Sequence, residues 1–233
     1  PDMAMTPFPL HPDGGLRAQP PAAPGRRSFV HDPRHPVPTI GGAIASGAPV
    51  MEAGGYDQRE AAAFFGAREP WRPLAERSDL LVFETPALDT DVELTGQAVA
   101  DLFVSSTAAD TDITIKIVDV YPPNADYPDG YALNIAHGIL RMRFRDSFEA
   151  PEPMEPGKVY RVRIASFPMS NLFAKGHRIR VEIAGSNFPH FDINPNVDWR
   201  VPGLSPVAAE NSVHLGPRAG SRLLLPVVPA RAG

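Results

Sequence analysis

The sequence contains no cysteine, which excludes disulfides, thiolate metal sites and a cysteine nucleophile together. No window approaches the roughly 18 consecutive apolar residues of a membrane-spanning helix. No signal-like apolar run follows Pro1, so cytoplasm is favoured over export, and a start at proline reads as a piece of a longer protein. Charge of one sign is lacking too. The 22 basic and 27 acidic residues leave a net charge of -5 and are mixed along the chain, which gives no phosphate-binding surface and no nucleic-acid partner. Lysine is confined to Lys116, Lys158 and Lys175 in an Ala-, Pro- and Arg-rich background, the mark of a GC-rich, bacterial coding bias. What is abundant is proline (28) and glycine (19). That is high for a globular chain but below the level of low-complexity sequence. With 43% hydrophobic residues the chain can bury a core, and its helix breakers favour short strands joined by turns.

Before residue 79 the reading is loose. Strand-sized pieces at Phe8 to His11 and Ser28 to Asp32 flank a hairpin-type turn signal, Asp13-Gly14-Gly15. Pro33 to Pro73 is broken by Gly41-Gly42, Gly47 and Gly54-Gly55, with a turn or two of helix expected at Glu60 to Phe65. So long an irregular stretch needs a surface to lie on, either a sheet of the same domain or a neighbour.

After Arg77 the period becomes two. Leu80 to Thr85 and Val99 to Ser105 are strands, the second with Ala100, Leu102 and Val104 on one face. Ile113, Ile115 and Ile117 alternate with Thr114 and Lys116, and Val118 and Val120 point to a switch of buried face. Leu140, Met142 and Phe144 alternate with Arg141, Arg143 and Arg145 across a strand Ile139 to Arg145 with one wet face. Tyr160, Val162 and Ile164, then Ile179, Val181 and Ile183, repeat the arrangement, and Ser212 to Leu215 and Arg222 to Val228 complete the set. Reversals are expected at Pro122 to Gly130, Pro151 to Gly157 and Pro189 to Asn196. Strands with one apolar face each must bury them against one another. The chain is therefore read as all-β: a jelly-roll β-sandwich over 79–233, with extra strands and a wrapping segment in 1–78.

Chemistry is sparse. No serine sits in Gly-x-Ser-x-Gly, and neither Ser46 nor Ser186 has the flanking glycines of a nucleophile elbow. No glycine pair opens a phosphate loop, so no catalytic residue and no cofactor are expected. Asp110 with Asp112, or Asn124, Asp126 and Asp129, carry oxygens that calcium would accept. The same residues serve ordinary chain reversals, and that reading is preferred. His31 and His35 flank Asp32-Pro33 and share no helical face, so no metal site is assigned. Arg141, Arg143, Arg145, Arg161 and Arg163 form a basic stripe that either binds an anion or pairs with Asp and Glu across strands, the second being favoured. The segment Ser186 to Asn196 leaves a strand with two aromatics and several amides and carboxylates. It reads as a structural knot or a docking surface, with Asn187, Phe188, Phe191, Asp192, Asn194 and Asn196 as the docking candidates and Gly41 to Trp71 beside them.

An ordered series of motifs resembles a known family. Leu81-Val82-Phe83-Glu84-Thr85-Pro86, Leu94-Thr95-Gly96, Lys116-Ile117-Val118-Asp119-Val120-Tyr121, Gly138-Ile139-Leu140-Arg141, Arg145-Asp146-Ser147, Gly176-His177-Arg178-Ile179-Arg180 and Ser186-Asn187-Phe188-Pro189 are similar to the C-terminal non-catalytic domain of X-Pro dipeptidyl-peptidase and cocaine-esterase-like serine hydrolases. So are Leu10-His11-Pro12-Asp13-Gly14-Gly15-Leu16, Pro36-Val37-Pro38-Thr39-Ile40-Gly41-Gly42 and Asp57-Gln58-Arg59 upstream. The resemblance implies a jelly-roll domain that packs on an α/β-hydrolase catalytic domain, in cis or as a separate subunit, helps shape its active site, and has the possibility of homo-oligomer contacts. It carries no catalytic residue onto this chain, because the family's triad lies upstream of the matched region. Two alternatives stay open: a free-standing jelly roll that binds carbohydrate through Trp71, Trp199 or Tyr131, and a subunit that acts in trans with a hydrolase.

Overall fold

The computed structural model describes residues 3–43, 46–47, 50–218 and 220–229. Twelve strands are formed among them: β1 (Ala4–Pro9), β2 (Gly25–His31), β3 (Leu80–Glu84), β4 (Val92–Gly96), β5 (Val99–Ser106), β6 (Asp112–Tyr121), β7 (Tyr131–Arg141), β8 (Tyr160–Ala165), β9 (Met169–Phe173), β10 (Arg178–Ala184), β11 (Ala209–Leu215) and β12 (Arg222–Val228). They make two antiparallel sheets packed as a β-sandwich, one of eight strands and one of four in the order β3-β10-β6-β7. No helix is long and apolar enough to cross a membrane among the described residues.

The eight-stranded sheet is better described as four lines, each broken once. β11 and β12 follow one another along β5. β2 and β1 run antiparallel beside β11 and β12 on one flank, and β4 continues the line of β5 on the other. β8 and β9 then line β5 and β4. Each break frees backbone groups that a ladder would have paired. At two of them a buried serine takes over. Ser221 Oγ accepts from the Phe103 N–H at 2.9 Å and donates to the His214 carbonyl at 2.8 Å. Ser166 Oγ accepts from the Ala98 N–H at 3.1 Å, while the Ser166 N–H donates to the Ala98 carbonyl at 2.8 Å.

The alternation of β5, β6, β8 and β10 builds the core. Ala100, Leu102, Val104, Ile113, Ile115, Ile117, Val162, Ile164, Ile179, Val181 and Ile183 all bury between the sheets, with Phe83, Leu94 and Phe173. The irregular segment lies on the outer face of the small sheet. There Val37, Ile40 and Leu74 form a second cluster with Leu80 and Ala184. This strap changes the expectation for β6. Thr114, Lys116 and Val118 are buried as well, so β6 is covered on both faces, and its register slips at Ile117/Val118.

Further expectations are corrected. The strand expected over Ile139 to Arg145 ends at Arg141, and Met142–Phe144 is a single 3-10 turn. The Met142 N–H donates to the Thr111 carbonyl and the Arg143 N–H to Asp110 Oδ1 at 3.0 Å, so these amides leave the ladder. The arginines are not on a wet face: the Arg141, Arg143 and Arg145 side chains are 18%, 18% and 6% exposed. Glu60 to Phe65 forms turns, not helix. The buried Glu60 is held to Arg77 at 2.6 Å, and so short a segment cannot offset the cost of helix nucleation. The Asp13-Gly14 reversal is present, with the His11 N–H donating to the Gly15 carbonyl, but the strands on either side pair with β12 and β11, not with each other.

Candidate functional site

The segment Ser186 to Asn196 divides into an inner and an outer half. The Val37 N–H donates to Ser186 Oγ at 2.9 Å and Thr39 Oγ1 to Asn187 Oδ1 at 3.0 Å, while the Phe188 N–H bonds the Val37 carbonyl at 3.0 Å. These bonds stitch the segment to the strap. Asn194 Nδ2 donates to both Asp110 Oδ2 (3.0 Å) and Asp112 Oδ1 (2.9 Å), and Asn194 Oδ1 accepts the Asn196 N–H at 2.9 Å. Asn196 sits at φ 60, a left-handed conformation that asparagine tolerates, and its Nδ2 donates to the carbonyls of His31 and Val207. Asn187, Asn194 and Asn196 are thus buried and used internally, the knot of the two readings. The docking candidates narrow to Phe188, Phe191 and Asp192, which retain exposure.

The neighbouring carboxylates follow the same logic. Burial raises the pKa of Asp110, against the pull of Asn194 and Arg143. Arg141 donates two bonds of 2.9 Å to Asp112 and reaches the exposed Asp192 at 3.1 Å. Its bonds to Asp112 raise its own pKa. Asp110 and Asp112 are therefore engaged by arginine and amide rather than free for a cation. Asn124 Oδ1 accepts the N–H groups of Asp126 and Tyr127, both at 2.9 Å, the turn chemistry expected of it. Among the described residues no three His, Cys, Asp or Glu side chains gather into a metal site.

Four of the five arginines of the stripe pair with carboxylates: Arg141, Arg143 and Arg161 with the buried Asp112, Asp110 and Asp101, and Arg145 with the exposed Asp146 and Glu152. Arg161 and Arg222 both bond Asp101, and Arg143 and Arg145 lie over Trp199 and Tyr160. His31 is buried against the Asn194 carbonyl, apart from His35, which meets Arg68. Trp71, Trp199 and Tyr131 share no ring contact among the described residues. Tyr131 instead packs with Tyr121 and Tyr127, so the three form no common platform for a sugar. Ser105 Oγ and His214 Nε2 lie 2.9 Å apart, but Ser105 is buried and the ladders of β5 and β11 occupy the amides that an oxyanion hole would need.

Around the outer half an aromatic rim gathers. Phe65 meets Phe188 with ring centroids 5.6 Å apart, His137 meets Phe167 at 5.0 Å and Phe191 at 5.7 Å, and His190 meets Phe191 at 4.5 Å. Phe65 and Phe167 are 46% and 55% exposed. The rim borders a cleft of about 570 Å³ lined by Gly42, Ala43, Gly54, Gly55, Asn134 to His137, Phe167, Pro168 and His190. Its glycine wall is paired backbone: Gly42 and Gly54 exchange both hydrogen bonds, at 2.8 and 2.9 Å. A Cβ on Gly41 would come within 2.4 Å of the Gly54 carbonyl oxygen, so the glycines read as loose breakers in fact permit a close crossing. Phe65, Phe167 and His137 carry no local pattern that singles them out. Phe167 and His137 are joined at the sandwich corner, where the Phe167 N–H donates to the His137 carbonyl at 2.8 Å, and Phe65 comes from the strap to meet Phe188.

A family model for the X-Pro dipeptidyl-peptidase C-terminal non-catalytic domain matches residues 8–224. Cocaine esterase from Rhodococcus sp. (strain MB1 Bresler) is 36% identical over 242 residues, an alignment that covers 98% of this chain and 38% of that protein. Among solved structures, an aminopeptidase from the marine sediment archaeon Thaumarchaeota archaeon superposes with a TM-score of 0.82 at 29% identity, covering 97% of this chain and 37% of the other. An α-amino acid ester hydrolase does so with a TM-score of 0.76 at 28% identity, covering 96% and 36%. The chain spans less than two fifths of each of these relatives.

Proposed function

The chain belongs to the family of X-Pro dipeptidyl-peptidase C-terminal non-catalytic domains, and on that premise we propose that it is the accessory β-sandwich of a serine hydrolase acting on esters or amides. It packs against an α/β-hydrolase catalytic domain and helps wall the active-site cleft. The observation that carries this reading is the aromatic rim. Exposed Phe65 packs on half-buried Phe188, and exposed Phe167 and half-buried Phe191 both pack on His137. Apolar surface of this kind along one loop marks an interaction surface. Asp192, exposed and tethered by Arg141, supplies a polar edge.

The test is made in the full-length hydrolase. Phe65→Ser with Phe167→Ser removes apolar rim surface without touching the core, so the urea midpoint of the isolated chain is expected to stay near that of the wild type. Hydrolysis of an activated ester is expected to fall at least tenfold. Unchanged hydrolysis would place the interface elsewhere. Ester turnover by the isolated chain, lost on mutating one of its own serines, would overturn the accessory role itself.

A further inference from the structure

His190 on the Ser186 to Asn196 loop and His137 on β7 face each other Nε2 to Nε2 at 2.8 Å, with ring planes 80° apart. Two nitrogens at this distance share one proton, so one ring donates its Nε2–H and the other accepts through a bare Nε2. His190 Nδ1 is buried and has no hydrogen-bond partner. Were His190 the acceptor, that atom would carry an orphaned N–H. As the donor it keeps only a bare lone pair there, which costs less. Hydrogen bonding therefore assigns His190 as donor and His137 as acceptor.

Neither ring takes a further proton without loss. A proton on His137 Nε2 would set two N–H groups against each other, and one on His190 Nδ1 would bury a cation with no acceptor. The charge facing the pair is also positive. Lys116 stands directly opposite His137 in the β6–β7 register, buried and with no partner for its Nζ. Glu182 lies across from Lys116 on β10, held by Arg180 at 3.6 Å, and Arg77 adds to the positive field at Lys116. The other elements against the pair bring rings and glycines, namely Phe191, Phe167, Gly42 and Gly54. The nearest carboxylate on the loop, Asp192, turns outward to Arg141. Burial, then His190 and Lys116, push the pKa of His137 down to about 4, and burial with Lys116 lowers that of His190.

We propose that His137 and His190 form a proton-operated latch that fixes the outer half of the loop, Phe188 to Asp192, on β7 while both rings are neutral and frees it when they are protonated, the buried Asn187 and Asn194 staying in place at either end. Opening withdraws Phe188 and Phe191 from the rim, and the latch stands whether or not that rim docks a catalytic domain. Opening takes away His190 and part of the burial, so the pKa of His137 rises from about 4 towards its ordinary 6.5, while Lys116 stays opposite it. Between pH 7.5 and 5 the open fraction then rises by up to about 30-fold from this ring.

The test is amide hydrogen exchange on this chain, corrected for intrinsic pH dependence and read at Thr39, Phe188 and Phe191. Their N–H groups bond the carbonyls of Phe188, Val37 and Asn187. Exchange there is expected to accelerate several-fold, up to about 30-fold from His137, relative to amides in β6 and β10. Acceleration no greater than in those strands overturns the latch. His137→Gln with His190→Gln keeps an amide-to-amide bond and removes both titrating rings, so it should abolish the difference; its persistence also overturns the latch. If that variant does not fold, ring nitrogen spectra of the wild type decide. Both rings must titrate below 6.5 in step with the loop amides, and a ring that titrates at 6.5 while the loop stays still refutes the proposal.

Discussion

Ser221 shows how a side chain of two heavy atoms supports a sheet. Its hydroxyl takes the Phe103 N–H and gives to the His214 carbonyl, and its own carbonyl accepts the Leu10 N–H at 3.0 Å, so three lines of the large sheet meet at one residue. Ser221→Ala leaves the Phe103 N–H buried without a partner and is expected to cost about 1–3 kcal/mol in urea unfolding. An unchanged midpoint would mean that another group takes the bond. Gly138 is constrained differently. A Cβ there would lie 2.3 Å from the Ala165 carbonyl oxygen, backbone that cannot swing away, and Gly138→Ala is expected to destabilise by about 1–3 kcal/mol. Lys116 and Glu182 are a buried facing pair in which neither side chain hydrogen-bonds the other. Burial lowers the pKa of Lys116. Removing Lys116 leaves the buried Glu182 with Arg180 as its ionic partner at 3.6 Å, so Lys116→Met alone should cost about 1–3 kcal/mol, below the cost of a fully stranded charge. Lys116→Met with Glu182→Leu should recover most of that loss, and a double variant no more stable than the single one would show that the pair contributes net attraction.

The elements explain which parts of this fold can be read from sequence. β8 alternates cleanly because one face meets the core and the other water, and period two is all that such a strand needs. β10 keeps that period in sequence although Glu182 on its other face is buried too, and β5 also buries Asp101. Arg141, Arg143 and Arg145 keep the same rhythm and mislead, because a polar residue at period two reads as wet whether it meets water or a buried aspartate. Asp112 and Asp110, the partners of Arg141 and Arg143, lie about thirty residues upstream, beyond any local window. β4 and β9 are short and half covered, so their pattern is weak. The candidate site was legible as a segment and illegible as a surface. Its amides and aromatics stand out in sequence, but which of them turn inward is decided by the Asp110–Asp112 pair and the strap. Asn194 tests this division. Asn194→Ala deprives both aspartates of a donor, and by losing a bond to the charged form it should push the pKa of Asp110 further up and destabilise the chain by about 1–3 kcal/mol. Carboxyl titration followed by NMR would read the direction, and a lowered Asp110 would contradict it.

At the scale of the whole molecule the histidines set the acid response. Burial lowers the pKa values of His31, His190 and His214, and that of His137 to about 4. The folded chain holds these rings neutral, whereas the unfolded chain protonates them below about 6.5. Their contribution to stability is fully present above that value and is lost as the pH falls towards the folded values, at up to about 1.4 kcal/mol per pH unit for each ring. Asp110 and Asp119, both raised by burial, act with the opposite sign, because the folded chain takes up their protons first. Four histidines against two carboxyls, and in a window above the ordinary carboxylate range, predict a urea midpoint that falls from pH 7.5 to 5. A midpoint that rises over that interval would refute the assignment.

The four broken lines of the large sheet give the molecule a seam. Its interruptions, between Pro9 and Gly25, Gly96 and Val99, Ala165 and Met169, and Leu215 and Arg222, differ in length, yet every ladder resumes beyond them in antiparallel register. An insertion placed in the seam lengthens an excursion without moving a side chain from one face to the other, whereas the same insertion within a strand would reverse inside and outside for every residue after it. The seam is thus where this architecture can accept new sequence and diversify over evolutionary time while the sandwich on either side stays as it is.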